Sequence, residues 1–271
     1  MRAALFLIPL LLSSAACSSQ ADYARKTGVD TDPAAVATAT AAKPAQVSFT
    51  DNEARDGGER EFAYKWPAAV SAEPGLVAQL TAERTRILAA EKSEWPDALE
   101  GSPDDCGPCR NRSFAKEWKV VADTPGYLSL SGDFNTYTGG AHGMYGLDSI
   151  VWDRAAKKAV PGAALFVSPE ALDRALGPKL CAALNKEREK RRGEPVNPTA
   201  DDIGFDSCQS TRDATVLVGS STRKAFDRIG IWFGPYVAGA YAEGAYELDF
   251  PVDAAVLKAV KPEYAKAFAS R

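Results

Sequence analysis

The residues of this chain with chemistry to offer are few. One group is the tetrapeptide Cys106-Gly107-Pro108-Cys109; the other is His142, the single histidine among 271 residues. A C-x-x-C pair becomes a redox centre when a strand delivers the first cysteine to a helix N-terminus, whose dipole stabilises the thiolate. Here Gly101-Ser102-Pro103-Asp104-Asp105 precede Cys106. That is loop chemistry, and its two carboxylates disfavour a neighbouring thiolate, so the pair reads as a structural disulfide. Cys106, Cys109 and His142 have the donor types of three zinc ligands, but with other cysteines to pair with, S–S bonds are the simpler use. No metal and no cofactor are expected.

His142 can be tested by counting. One histidine excludes H-E-x-x-H metalloproteases and every paired-histidine metal site. A Ser-His-Asp triad needs only one, yet the chain has no G-x-S-x-G elbow, and Val218-Gly219-Ser220-Ser221-Thr222 is a poor substitute. The neighbouring Gly139 and Gly140 suit a tight bend where a strand leaves a sheet. The imidazole then hydrogen-bonds that bend; contact with a partner and service as a base stay open as alternatives. A second dense stretch, residues 234–251, combines Gly234-Pro235, three tyrosines (Tyr236, Tyr241, Tyr246) and Gly239 and Gly244. It reads as a bulged hairpin under packed tyrosines. A surface rich in glycine and tyrosine also suits protein recognition, because tyrosine offers large contact area at low entropic cost.

The compartment follows from the first residues. Met1-Arg2, an apolar run from Ala3 to Leu12 and small residues to Ala16 form a secretory signal over 1–16, too short to span a bilayer. Small residues ending at Cys17 suggest lipidation of that cysteine, with Ser18 fitting outer-membrane sorting. The expected location is the periplasmic face of the outer membrane, with an ordinary cleaved signal as the alternative. Removing Arg2 with the signal shifts the net charge from −4 to −5, which gives no electrostatic case for nucleic acid and tolerates a basic protein partner. Four cysteines remain, and export favours their pairing. Of three pairings, Cys106–Cys109 with Cys181–Cys208 is preferred, because the first pair is forced close by the chain.

The elements that must position these groups are of mixed type. Residues 17–46, poor in large apolar side chains, read as a tether. Phe62, Tyr64 and Trp66 alternate like a half-buried strand. A helix with Leu76, Leu80, Ile87 and Leu88 at helical spacing is expected from Pro74 to Trp95. Strand-like runs follow at 118–123, 127–138 and 145–153. Ser168 and Pro169 open a second helix with Leu172, Leu176, Leu180 and Leu184 on one stripe, breakable at Gly177-Pro178. Its charged end, Lys186 to Arg192, reads as a solvated face. Three further strands and a terminal helix over 252–269 complete an α+β pattern.

Two stretches taken together, Tyr127 to Gly143 with its Tyr137-Thr138-Gly139-Gly140-Ala141-His142 motif and Ile229 to Pro251 with Pro235-Tyr236 and Gly239, closely resemble the extracytoplasmic tandem domains of RsiV-like anti-sigma factors and PdaC-type deacetylases. The resemblance covers residues 47–268 and implies two small α+β subdomains on antiparallel sheets, an N-terminal PdaC-type one over 47–142 and a C-terminal RsiV-like one over 143–271. In RsiV-like proteins the region binds lysozyme; in PdaC-like ones it accompanies a separate deacetylase domain, which a single histidine cannot build. The expectation is a non-enzymatic binding module for a lysozyme-like muramidase or a peptidoglycan component, with a hydrolase using His142 as the competing class.

Overall fold

A computed structural model describes residues 43–197 and 205–271. The signal segment, Cys17 and the expected tether up to residue 42 lie outside the described residues. The chain begins with β1 (Val47–Thr50), β2 (Glu53–Arg55) and β3 (Gly58–Trp66), then α1 (Ala68–Ser71), α2 (Pro74–Glu100) and the single turn α3 (Gly107–Arg110). Long strands follow: β4 (Arg112–Asp123), β5 (Tyr127–Tyr137) and β6 (Met144–Asp153), closed by the short β7 (Lys158–Val160). After them come α4 (Pro169–Leu176), α5 (Pro178–Arg192), β8 (Thr215–Gly219), β9 (Arg228–Phe233), β10 (Tyr246–Pro251) and α6 (Ala254–Ala259). The fold is α+β on two sheets.

The first sheet runs β1-β3-β4-β5-β6-β7, with β2 also on β3, and is antiparallel except at β3–β4. β6 and β7, which follow the glycine pair, add to this same sheet. Phe62, Tyr64 and Trp66 turn one face of β3 inward, onto Leu76 and Leu80 of α2, Trp118, Leu128, Leu130 and Trp152. Each fully buried leucine contributes about 2 kcal/mol. A polar chain ties α2 to this face. Trp118 Nε1 donates to Tyr64 Oη at 2.9 Å, and Tyr64 donates on to Glu83 of α2 at 2.9 Å. Lys116 Nζ lies 2.5 Å from both Glu83 and Asp148. Burial, more than these carboxylates, pushes the Tyr64 phenol pKa far up.

The second sheet, β10-β9-β8, is antiparallel. Ile229, Ile231 and Phe233 of β9 face a core shared with Leu172, Leu176, Leu180 and Leu184. Ser168 caps α4 by accepting from Ala171 N at 3.2 Å. The break at Gly177 occurs, with φ 55°.

Three expectations are corrected. α2 does not stop at Trp95 but runs through Pro96 to Glu100; Trp95 and Leu99 are both buried, and their packing outweighs the one hydrogen bond that proline forfeits. The terminal helix is not continuous. α6 ends at Ala259, Val260 makes a β-bridge to Phe166, and a 3-10 turn occupies Pro262–Ala267, because Pro262 starts a helical segment readily and continues one poorly. The charged end of α5 is not a solvated face throughout: Arg188 is 0% exposed. It occupies the next position, four residues on, of the Leu172-Leu176-Leu180-Leu184 stripe.

Candidate functional site

The two glycine-rich motifs, about a hundred residues apart in sequence, meet in space. β5 ends at Tyr137, and Gly139 and Gly140 take φ values of 90° and 97°, where a side chain on L-residues is strained. The bend is fastened from below by the cysteine loop. Cys106 and Cys109 form a disulfide with Cα atoms 5.3 Å apart. The Tyr137 hydroxyl is shared between Pro108 O at 3.0 Å and Gly140 O at 2.8 Å, and a Cβ at Gly139 would lie 3.1 Å from Cys109 O. Thr138 is exposed.

Beyond the bend, His142 is exposed and turns Nδ1 to Gly143 O at 2.9 Å. A carbonyl only accepts, so Nδ1 is the donor in this contact. The same carbonyl accepts from Tyr241 Oη at 2.8 Å. The imidazole stacks on the Tyr241 ring, centroids 4.2 Å apart and planes at 24°. Tyr241 also touches Tyr145 edge-on at 5.9 Å and Tyr236 at 5.7 Å. Four rings thus form one cluster. His142 hydrogen-bonds no carboxylate and no hydroxyl nucleophile among the described residues.

Tyr236 is placed by backbone chemistry. Val237 N donates to Gly234 O at 3.2 Å, closing a turn with Pro235 at its second position and Tyr236 at its third, where φ is 66°. That position ordinarily takes glycine or asparagine; tyrosine there costs about 1–2 kcal/mol. Its ring is nevertheless 50% exposed.

The loop carrying Tyr236 and Tyr241 is gripped by three arginines of α5. Arg188 donates to Ala238 O at 2.9 Å and Ser207 O at 3.0 Å. Arg191 donates to Glu243 O and Ala245 O and lies over the Tyr246 ring at 4.1 Å. Arg192 reaches Glu243 at 3.0 Å and Asp206 at 2.5 Å. Glu243 also accepts from Tyr246 Oη. Burial alone would raise the Glu243 pKa, but the hydrogen bonds from Tyr246, Arg192 and Ala240 N hold it below the usual carboxylate value. Burial and the adjacent Glu243 push Tyr246 up to about 12. A Cβ at Gly239 would meet Glu243 Oε2 at 2.5 Å, so this glycine makes room for the carboxylate. The second disulfide, Cys181–Cys208 with Cα atoms 5.2 Å apart, joins α5 to the segment carrying Asp206 and Ser207.

The structure therefore brings together Tyr137, Gly139, Gly140, His142, Pro235, Tyr236 and Gly239, with Cys106 and Cys109 behind one loop and Cys181 and Cys208 behind the other. Sequence reasoning missed Tyr145 and the arginine clamp; Arg188 alone had a signal, its place on the leucine stripe.

Residues 58–145 match the family model described as "Deacetylase PdaC". This segment is similar to PdaC-type domains. The match runs from β3 into β6 and takes in His142, whereas the Tyr236 loop lies outside it. Two solved structures are similar to this chain at low identity. A DUF3298 family protein from Pseudomonas aeruginosa PAO1 is 18% identical, with a TM-score of 0.46 over 83% of this chain and 97% of that one. A DUF3298 family member from Bacteroides fragilis is 16% identical, with a TM-score of 0.43 over 76% and 89%. No curated protein matches the chain.

Proposed function

We propose that this chain is a non-enzymatic binding module of the bacterial envelope, and that the His142–Tyr241–Tyr236 corner is its binding surface. The observation that carries the reading is Tyr236, held at positive φ with half its surface in solvent and in ring contact with the cluster that joins both motifs. Exposed tyrosines on a clamped loop recognise protein surfaces at low entropic cost. The partner class proposed, on the family resemblance, is a lysozyme-like muramidase, with a peptidoglycan component as the second. A net charge of −4 over the whole chain would aid encounter with a basic muramidase. The deacetylase of the family's name is not carried over, since one histidine cannot supply a paired-histidine metal site.

Titrating the protein with c-type lysozyme tests this. Saturable binding that Tyr236→Ala weakens supports the corner; no binding at roughly 10–100 µM removes the partner. The hydrolase alternative predicts cell-wall cleavage abolished by His142→Ala with the fold retained.

We further propose lipid anchoring through Cys17 at the periplasmic face of the outer membrane. Among the described residues no helix is long and apolar enough to cross a membrane; the support for the anchor is the run of small residues that ends at Cys17. Cys17→Ser should then move the protein from the membrane to the soluble fraction.

A further inference from the structure

A groove that starts at Tyr145, on the edge of the tyrosine corner, lies where the two sheets face each other. Leu128 and Leu130 of β5 point into the α2 core, so by alternation Asp133 and Asn135 point to the opposite face. Ile229 and Ile231 of β9 point into the other core, so Gly230 and Trp232 line the open face of the second sheet. Between these faces lie two adjoining clefts of about 420 and 330 Å³. They share Asp133, Trp232 and Glu247 and so form one groove. Tyr145 stands at one end, Arg228 and Asp249 at the other.

The charges in this groove decide what it can hold. Asp133 is paired with Lys119 at 3.0 Å, and Asp249 with Arg228. Glu247, directly across the strands from Trp232, is the lining carboxylate with no ion-pair partner among the described residues. Nearly all the charge is thus already compensated. A strongly basic peptide would have to compete with Lys119 and Arg228 for their carboxylates, and an anionic polymer would meet the unpaired Glu247. What remains is a half-buried indole beside acceptors (Asp133, Glu247), a donor (Arg228) and an amide that is both (Asn135). A sugar ring has this complement: a flat C–H face to lay on the indole, and equatorial hydroxyls that donate and accept at once. Leu217 leans over Gly230, 3.2 Å from where a Cβ would stand, and gives the floor its apolar part. Pockets with an apolar floor and a few convergent polar groups are the usual form of small-ligand sites.

We infer that the groove between the two sheets is a binding site for a neutral oligosaccharide, with Trp232 as its stacking platform. This assignment stands whether or not the tyrosine corner binds a muramidase. The test is calorimetric titration of the full chain with neutral tetrasaccharides built on N-acetylglucosamine, glucose and mannose. The expected result is saturable binding of at least one, weakened about tenfold or more by Trp232→Ala and unchanged by Tyr236→Ala. Trp232→Phe keeps a ring in place should the alanine variant misfold, and it should bind more weakly than the parent with its thermal midpoint retained. No saturable binding from any of the three sugars overturns the inference. So does sugar binding indifferent to both Trp232 variants, or tighter binding of an oligolysine peptide that Glu247→Gln abolishes. Loss of lysozyme binding with sugar binding intact would count against the corner alone.

Discussion

The two loops that meet at Tyr241 are held by different physics. The bend after β5 relies on neutral contacts: a phenol shared by two carbonyls, and Gly139 seated on the backbone of a four-residue disulfide loop. The tyrosine loop relies on charge. Three arginines of α5 reach four backbone carbonyls and two carboxylates, and Arg188 makes its contacts while wholly buried, without a carboxylate of its own and with its Nη2 lacking any partner. Burial drives the Arg188 pKa down, yet an arginine stays charged regardless. Contrast Lys116, also buried, whose two carboxylates bind it to α2 and β6. Lys116 joins regular elements; Arg188 fixes irregular backbone through its carbonyls. The difference suggests that the first loop is a seat and the second is the element whose shape must be kept against strain.

Removing the staple behind the tyrosine loop should have the largest effect. Cys181→Ser with Cys208→Ser frees a loop of sequence separation 27 and should cost about 3.5 kcal/mol by chain entropy, measured by denaturant unfolding. Arg188→Ala comes next. It leaves the carbonyls of Ala238 and Ser207 without their donor and opens a cavity, for a loss of about 3 kcal/mol. If the loss is under about 1 kcal/mol, the clamp is ornamental and the contrast between the loops fails. Cys106→Ser with Cys109→Ser, sequence separation 3, should cost only about 2 kcal/mol and loosen the amides of 137–143 rather than those of 236–246 in hydrogen exchange.

Tyr236→Gly sharpens the comparison in the other direction. It should be about 1 kcal/mol more stable than Tyr236→Ala, because glycine relieves the positive φ that alanine retains, and both should lose partner binding. The smallest effect is pH dependence at Glu243. Its folded-state pKa lies below the ordinary value of 4.5, so its contribution is present above that value and is lost as pH falls through the lower folded pKa. Amide protection in 236–246 should therefore decline on acidification in the parent, and Glu243→Gln should remove that dependence.

The sequence made the fold legible where periodicity was clean. Alternation located β3, strand-like runs marked the end of β4 and β5, β6, β8, β9 and β10, and the Ser168 cap and the Gly177 break were readable from residue type. It failed where one residue outranked a pattern. Pro96 suggested a helix end that Trp95 and Leu99 overrode, and Pro262 signalled a break that the surrounding helix formers obscured. Arg188 was hidden by its charged neighbours, although the four-residue spacing of the leucines leads straight to it. At the site, residue type could show that two motifs were unusual, but their meeting depends on long-range pairing that no local signal carries. The groove was invisible for the same reason, since Trp232 and Asp133 come from different sheets.

The parallel seam between β3 and β4 sets one more condition on the molecule. Every antiparallel seam in both sheets joins strands near one another along the chain, but Arg60 pairs with Arg112 across α2 and the cysteine loop. That closure must wait until the intervening stretch is compact, whereas hairpins zip without such delay. During this interval the rim of β4 stands bare, and the folding chain is at its most vulnerable to sticking to its neighbours.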